Sequence, residues 1–359
     1  MDREDYRKAI EELGQTGLTY FQDMEQALEG FHLQELPRSQ EPISQKYRQL
    51  LQENENRLEK LQPPAGEEPF HEQFRLAHSH LHQSCQVFSH NFQPEDYISC
   101  IRDSQHELCM ARYYFYQIRS RMSYFAPYWI TEDELPNLEQ IEVEPDPNLE
   151  VPVGLLYKDW EPHPPRYSLY VPECYDPQRS WPMIVAMHGG GGNDNDFIWL
   201  WLRQAKSKGY ILVSPKSLDL TWTPKDIRVV MTVIREVQSM YNIDEGGIFL
   251  TGVSDGGTFS YEVGLRNPDT FSAIAPVAGG LMPWFDFERA KNLPVYILHG
   301  ALDWMAPVAF ARQARDTLEQ HNYRVVYHEI SDWGHAMPFS KVEDICAFFN
   351  QILQERHSE

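Results

Sequence analysis

The sequence predicts an all-α N-terminal domain followed by an α/β domain, in which a mostly parallel sheet carries helices on both faces. Apolar residues recur at helical spacing over residues 1–126, and short apolar runs alternate with helical stretches from about residue 151. An acidic stretch with three prolines lies between these regions. We therefore expect a helical domain (1–130), an acidic linker (131–150) and an α/β domain (151–359).

The N-terminal domain is predicted to contain four amphipathic helices. Proline and glycine mark the breaks between them, at Leu36-Pro37, at residues 63–66 and at Gln93-Pro94. Each helix carries one apolar stripe, as Tyr6, Ile10 and Leu13 do in the first, and must bury that stripe against a neighbour. Four such helices with short connections favour antiparallel hairpins or a small bundle.

The third helix is rich in histidine. His71, His78 and His82 share one stripe, and Cys85 lies close by. A metal site needs converging ligands from more than one element. We therefore interpret these histidines as residues at the edge of an apolar stripe that donate to nearby carboxylates, and we predict no metal.

Composition limits the partners that the chain can bind. The net charge is −22, and residues 1–150 hold 28 Asp and Glu against 13 Lys and Arg. Nucleic acids and anionic membrane surfaces require a basic face, so both are excluded as expected partners. The excess of acidic residues is interpreted as a device for solubility.

Three features favour a cytoplasmic location. No apolar run reaches the length of a membrane-spanning helix, so we expect no membrane span. The first residues lack the apolar segment of a signal peptide. The cysteines are scattered without a Cys-x-x-Cys pair, which favours reduced thiols over a disulfide framework. They are Cys85, Cys100, Cys109, Cys174 and Cys346.

From residue 151 onwards the chain alternates between predicted strands and helices. The linker before it is predicted to hold at most one short strand, at residues 141–143. The strands are predicted at 153–157, 166–171, 183–187, 210–213, 247–250, 273–276, 295–298 and 325–329. The helices are predicted at 195–207, 225–241, 256–266, 307–321 and 340–354.

A Gly-x-Ser-x-Gly motif follows the apolar run 248–250. Glycines at 252 and 256 permit a sharp reversal from strand to helix, in which Ser254 is held in a strained and exposed conformation. The amide of Asp255 then opens the helix and points towards any negative charge that develops beside the serine. Ser254 is therefore the candidate nucleophile.

Three further strand ends carry groups that a nucleophilic serine needs. The glycine run His188 to Asn193 follows the strand at 183–187, and its amides can approach a substrate carbonyl. Asp303 follows the strand at 295–298 and is the predicted acid, whereas His335 follows the last strand and is the predicted base. Asp332 is the rival acid, but it lies only three residues before His335 on the same loop.

The glycine run also raises the alternative of a phosphate site. A P-loop requires Lys-Ser or Lys-Thr after its glycines, and a dinucleotide fingerprint requires a helix that opens within the run. Neither is present at residues 188–193, so nucleotide binding is not expected.

Residues 151–355 resemble α/β-hydrolases, in the phospholipase/carboxylesterase branch near polyhydroxybutyrate-depolymerase-like esterases. The resemblance rests on YSLYVPE from Tyr167, WPMIVAMHGGGG from Trp181, TGVSDGG from Thr251 and HGALDWMAPV from His299. It implies that Ser254, Asp303 and His335 form a catalytic triad. It also implies oxyanion donors at Gly190 or Gly191 and at Asp255, and no metal or organic cofactor. Many relatives have Met or Gln after the serine, so Asp255 is a departure that bears on substrate charge.

The expected function is a serine carboxylesterase that hydrolyses small to medium acyl esters through an acyl-enzyme. A serine peptidase or an acyltransferase on the same fold is the alternative, and a binding module without catalysis is the third class. Aromatic residues near the strand ends are candidates for the substrate pocket, and an apolar or aromatic substrate group follows if three or more face the cleft. The candidates are Trp199, Trp222, Trp304 and Trp333.

The short interval between Gly280 and Val295 leaves room only for a very small cap after the strand at 273–276. The N-terminal helices are therefore one candidate cap over the active site, of their own or of a neighbouring subunit. The alternative is a bundle away from the active site that serves stability or homo-oligomer formation.

Overall fold

The computed structural model describes residues 2–29, 36–90, 96–158, 166–288, 290, 293–337 and 339–358. The chain divides into two compact units, Met1–Tyr128 and Trp129–Glu359.

The first unit is helical, as the spacing of its apolar residues predicts. Its helices are α1 (Arg3–Leu28), α2 (Leu36–Lys60), α3 (Glu68–Phe88) and α4 (Tyr97–Gln117). Because α2 begins at Leu36, Pro37 lies in the first helical turn, where its missing N–H costs nothing. The predicted break at Gln93-Pro94 lies outside the described residues. The roles of cap and of oligomerisation element stay predictions for these helices.

Aromatic rings fill the centre of this unit. Phe115 makes edge-to-face contacts with Phe21 and Phe74, each with ring centroids 5.6 Å apart. The buried His78 ring lies beside Phe74 and Phe115, at centroid distances of 4.7 and 5.7 Å. Such pairs add to the stability that burial of the rings provides.

The other histidines of α3 contact separate partners. His71 Nδ1 lies 3.1 Å from the Tyr6 hydroxyl, and His82 Nδ1 lies 2.5 Å from a Glu55 carboxylate oxygen. The carboxylate contact expected for the histidines therefore occurs at His82.

The stretch predicted to be an acidic linker is more structured than its composition suggested. A 3₁₀ helix spans Glu132–Asn137 and the short helix α5 spans Leu138–Ile141, so the strand predicted at 141–143 is wrong. Its acidic residues have lysine partners on the next helix. Lys208 contacts Asp133 and Glu134, and Lys206 contacts Glu142 at 2.9 Å. Composition alone suggested only an acidic linker because the lysines lie more than sixty residues away.

The second unit contains a single eight-stranded sheet among its described residues. Its strands are β1 (Gly154–Lys158), β2 (Tyr167–Val171), β3 (Trp181–Met187), β4 (Ile211–Pro215), β5 (Ile243–Val253), β6 (Ala273–Val277), β7 (Val295–Gly300) and β8 (Val325–Ile330). The order is β1-β2-β4-β3-β5-β6-β7-β8, and all pairs from β4 to β8 are parallel. The predicted mostly parallel sheet is confirmed.

Helices cover both faces of this sheet. They are α6 (Asp194–Lys208), α7 (Asp226–Met240), α8 (Asp255–Arg266), α9 (Ala309–Gln320) and α10 (Phe339–Ser358). Alternate strand residues such as Val185 and Leu250 join α7, α8 and α9 in one apolar cluster. On the other face Phe249 stacks on Phe349 of α10, with ring centroids 4.5 Å apart. Burial on both faces explains why the central strands are continuously apolar.

Among the described helices, none combines the length and the apolarity that crossing a bilayer requires. None of the five cysteines forms a disulfide bond, and all except Cys174 are buried.

Candidate active site

The turn between β5 and α8 presents Ser254 at the carboxyl end of the sheet. Ser254 has φ 58° and ψ −117°, a conformation that is strained for a residue with a Cβ. The chain passes so close to β3 that a Cβ on Gly256 would lie 2.4 Å from the Met187 carbonyl oxygen. Glycine is therefore required there, as the motif predicted.

The three residues predicted to act together are adjacent in space. His335 Nε2 lies 2.8 Å from Ser254 Oγ, and His335 Nδ1 lies 2.8 Å from Asp303 Oδ2. With its proton on Nδ1, the ring donates to the carboxylate and accepts the hydroxyl hydrogen of Ser254. This geometry allows the imidazole to remove the serine proton.

Asp303 is held as an anion in a buried setting. Burial raises its pKa, but hydrogen bonds from His299, His335 and the Ala306 amide outweigh burial and hold the pKa well below its usual range. Oδ1 accepts from the Met305 and Ala306 amides at 2.9 and 2.7 Å. An ionised, fixed carboxylate can orient an imidazole and stabilise its positive charge.

Asp332, the rival acid, is exposed, whereas His335 Nδ1 lies against the buried Asp303. The structure thus pairs His335 with Asp303, which reaches the ring edge opposite Ser254.

His299 is a site residue that the sequence interpretation missed. Its buried side chain lies 3.2 Å from Asp303 Oδ2, and its Nε2 also lies 2.7 Å from the Ala306 carbonyl oxygen. An Nε2–H can therefore donate to both acceptors and fix the loop that carries the acid. Its position four residues before Asp303, at the end of a buried strand, was the available signal.

The glycine loop lies beside Ser254 because β3 and β5 are neighbours in the sheet. The chain passes from β3 to β4 on one side and returns to β5 on the other, so this is the switch point at which such sheets bind ligands. A Cβ on Gly189 would lie 3.6 Å from Ser254 Cβ, and one on Gly190 would lie 3.6 Å from Asp255 Cβ.

Of the three predicted oxyanion donors, Gly191 already has an acceptor within the protein. Its amide already donates to the Leu220 carbonyl oxygen at 2.6 Å. The Gly190 amide has no acceptor among the described residues. Asp255 opens α8 and so has no acceptor within its helix. The Ser254 amide is also engaged, because it donates to Val277.

The Asp255 side chain turns to the protein rather than to a substrate. Its Oδ2 accepts from the Trp222 amide at 2.6 Å. Burial raises the pKa of Asp255, and the hydrogen bond from Trp222 opposes that rise. The expectation that this carboxylate bears on substrate charge has no support in these contacts.

The four candidate tryptophans occupy different surroundings. Trp304 is 45% exposed, and its ring lies edge-on to His335 with centroids 6.5 Å apart. Trp222 is buried and stacks on Phe259, and Trp333 is buried as well. Trp199 contacts Trp129 and Tyr157, which are remote in sequence from Ser254, Asp303 and His335. Of the four, only Trp304 has a ring contact with one of the three aligned residues in the described structure.

Part of the second unit is similar in sequence to known esterases. Residues 213–353 match the phospholipase/carboxylesterase family model. Feruloyl esterase C of Emericella nidulans is 29% identical over 154 residues, which cover 40% of this chain and 56% of that enzyme. A bifunctional acetylxylan esterase/xylanase of Neocallimastix patriciarum is 30% identical over 131 residues, covering 34% of this chain and 18% of that protein.

Among solved structures, a thermostable esterase is similar with a TM-score of 0.46 and 23% identity, over 56% of this chain and 62% of that one. The aligned part spans little more than half the length of the feruloyl esterase that it resembles. The family match contains Ser254, Asp303 and His335, and the sheet that carries them is mostly parallel and covered by helices on both faces. The part of the chain that carries these three residues therefore resembles the phospholipase/carboxylesterase family of α/β-hydrolases.

Proposed function

We propose that the protein is a serine carboxylesterase that hydrolyses small to medium acyl esters through an acyl-enzyme intermediate. The observation that carries this proposal is the alignment of Ser254 Oγ, His335 and the buried Asp303, with both hydrogen bonds at 2.8 Å. The family match and the names of the curated relatives support ester hydrolysis as the reaction.

In the proposed mechanism Ser254 Oγ attacks the ester carbonyl while His335 Nε2 takes its proton. Asp303 holds the ring and stabilises the imidazolium. The amides of Gly190 and Asp255 donate to the oxyanion of the tetrahedral intermediate. His335 then gives its proton to the leaving alcohol, and water attacks the acyl-enzyme with the same histidine as base.

The surface around Ser254 supports an apolar or aromatic substrate group. Among the described residues, seven large apolar side chains are at least 45% exposed on the loops after β4, β6 and β7 and at the start of α9, and we call them the apolar rim. They are Leu218, Leu220, Trp284, Leu302, Trp304, Met305 and Phe310. Concentrated exposed apolar surface marks binding sites rather than random variation. The names of the relatives include feruloyl esterases, which agree with an aromatic acyl group.

We also propose a cytoplasmic location, since none of the five cysteines forms a disulfide bond and four of them are buried. An oxidising compartment favours paired cysteines instead.

The test is hydrolysis of p-nitrophenyl esters from acetate upwards by the full chain, together with labelling by a fluorophosphonate probe. We expect ester turnover and labelling in the wild type, and neither in Ser254→Ala. Ser260→Ala is the matched control, because Ser260 lies in α8 and donates to the Gly256 carbonyl oxygen. Amide turnover above ester turnover would point to a peptidase instead, and acyl transfer to an added alcohol above hydrolysis would point to an acyltransferase. A wild type that neither turns over esters nor labels would overturn the proposal.

A further inference from the structure

The two proposed oxyanion donors belong to different parts of the chain. The Asp255 amide opens α8, whereas the Gly190 amide lies in the loop after β3. A tetrahedral oxyanion is stabilised only when both donors lie within hydrogen-bond distance of one point, so their separation must be held within about 0.5 Å. Consecutive glycines have little conformational preference of their own. The glycine loop therefore needs to be held by its surroundings.

That support comes from one short segment after β4, residues 216–222, which we call the bracing segment. Three hydrogen bonds join it to the glycine loop. Lys216 Nζ donates to the Gly192 carbonyl at 2.6 Å, and the Gly191 amide donates to the Leu220 carbonyl at 2.6 Å. The Trp222 indole N–H donates to the His188 carbonyl at 2.7 Å. The Ser217 amide also lies 3.3 Å from His188 Nε2. The position of the glycine loop thus follows that of the bracing segment.

Apolar contacts hold only one end of the bracing segment. Leu218 and Leu220 are 49% and 73% exposed, so the middle of the segment gains little from burial. Trp222 is buried at the end, with its ring stacked on Phe259 and 4.8 Å from the His188 ring. Polar anchors must therefore fix the remainder.

Two carboxylates supply these anchors. Asp226 of α7 accepts from the amides of Leu218 and Thr223, both at 2.8 Å. Asp255 accepts from the Trp222 amide at 2.6 Å. Asp226 ties the segment to its own following helix, whereas Asp255 ties it to the residue next to Ser254. The Asp255 contact is thus the hydrogen bond that relates the bracing segment directly to the nucleophile turn.

We propose that Asp255 is a positioning residue whose carboxylate sets the distance between the two oxyanion amides by holding the bracing segment against the nucleophile turn. Asp255 then supplies one oxyanion donor through its own amide and positions the other donor, the Gly190 amide, through its carboxylate. This inference rests on the proposed serine esterase function and adds to it the reason for an acidic residue after the serine.

The first test compares Asp255→Ala with Asp255→Asn in steady-state hydrolysis of p-nitrophenyl butyrate by the full chain. The Asn side chain keeps an acceptor oxygen for the Trp222 amide, whereas the Ala side chain has none. We expect kcat of the Ala variant to fall about 10- to 100-fold with KM changed by less than about 3-fold, because the lost interaction acts on the transition state. We expect the Asn variant to keep kcat within about 3-fold of the wild type.

A transition-state analogue separates positioning from general loss of structure. A trifluoromethyl ketone forms an oxyanion on a serine, so its inhibition constant should rise for Asp255→Ala by the same factor as kcat/KM falls. Asp269→Ala, an exposed carboxylate in the turn after α8, is the matched control and should match the wild type. Three outcomes would overturn the inference. They are a wild-type kcat in Asp255→Ala, an Asn variant as slow as the Ala variant, and a fall in kcat no larger than the unfolded fraction of the Ala variant explains.

The second test is a double-mutant cycle that combines Asp255→Ala with Trp222→Phe. The Phe variant removes the indole N–H that donates to the His188 carbonyl, and it keeps a ring on Phe259. If Asp255 acts through Trp222, the double variant should lose little more kcat than the slower single variant. Fully additive losses would overturn the inference. A wild type that hydrolyses no ester and is not labelled at Ser254 would instead defeat the proposed function itself.

Discussion

Gly300 lies directly against the backbone of Trp333: a Cβ on Gly300 would be 2.4 Å from the Trp333 carbonyl oxygen. That carbonyl accepts from the Leu302 amide at 2.7 Å. Gly300 ends β7 and precedes the loop of Asp303, whereas Trp333 precedes His335. The close approach therefore joins the loop of the proposed acid to the loop of the proposed base.

Gly300→Ala should separate these two loops, because backbone atoms cannot yield to a Cβ as a flexible side chain can. We expect kcat to fall by about 100-fold or more, since the loss of orientation between catalytic groups has effects of this size. Gly246→Ala is the matched control, because its nearest neighbour would be the Asp244 side chain at 3.4 Å. Equal kcat values for the two variants, measured on p-nitrophenyl acetate, would contradict the prediction.

Replacement of the two candidate acids should have very different effects. Asp303→Asn removes the anion that orients His335, and we expect kcat to fall about 10³- to 10⁴-fold. Asp332→Asn alters an exposed side chain and should leave kcat within about 2-fold. Initial rates at a saturating ester concentration give the comparison. A larger loss in Asp332→Asn would assign the acid role to that residue.

The apolar rim should determine acyl preference. Trp304→Ala removes an exposed ring beside His335, so we expect kcat/KM for p-nitrophenyl octanoate to fall about 10-fold and that for acetate to change by less than about 3-fold. Leu135→Ser, at a 38% exposed leucine in the 3₁₀ helix of the second unit, is the control. A parallel loss on both esters would show that Trp304 does not select the acyl group.

Acidification should destabilise the helical unit through His78. Burial lowers the pKa of His78 from 6.5 to about 3, so in the range between these values the unfolded chain binds a proton that the folded chain does not. The contribution of His78 to the free energy of unfolding is therefore fully present above about pH 6.5, and it falls by about 1.4 kcal/mol for each pH unit below that value. Hydrogen exchange of α3 amides at pH 7 and pH 5, corrected for intrinsic rates, measures the effect. In His78→Phe the pH dependence should be weaker; an unchanged dependence would contradict this account.

Replacement of the buried Lys206 of α6 alone should lower the free energy of unfolding more than replacement of Lys206 together with Glu173. Lys206 has a fully buried side chain 2.8 Å from the equally buried Glu173. Lys206→Met takes this cation from Glu173 and from Glu142, and we expect a loss of about 3–5 kcal/mol in the free energy of unfolding. Lys206→Met with Glu173→Gln should recover at least half of this loss in urea titrations. A double variant as unstable as the single one would argue against the buried charge as the cause.

The sheet and the positions of Ser254, Asp303 and His335 were accessible from the sequence for a local reason. Each of these residues follows an apolar run, and the carboxyl ends of parallel strands meet at one edge of a sheet. The serine, acid and histidine order could therefore be recognised without knowledge of any long-range contact.

The donors and the pocket were harder to predict because they depend on contacts between loops. Gly191 and Gly190 have identical local sequence surroundings, and only the carbonyl of Leu220, from another loop, distinguishes them. The same holds for Trp199 and Trp304, since their ring contacts follow from packing rather than from residue type. The ion pairs of the acidic stretch at 131–150 could not be predicted because the lysines that pair with it are distant in sequence.

The 81-residue separation between Ser254 and His335 has a consequence for synthesis. During translation the proposed nucleophile emerges well before the proposed base, and β6, β7 and β8 must still be made and paired. At typical elongation rates of about 5–20 residues per second, the serine is without a base for roughly 4–16 seconds. In the proposed mechanism, a nascent chain therefore exposes Ser254 in an unactivated state, and hydrolysis begins only when β8 and the loop of His335 have folded.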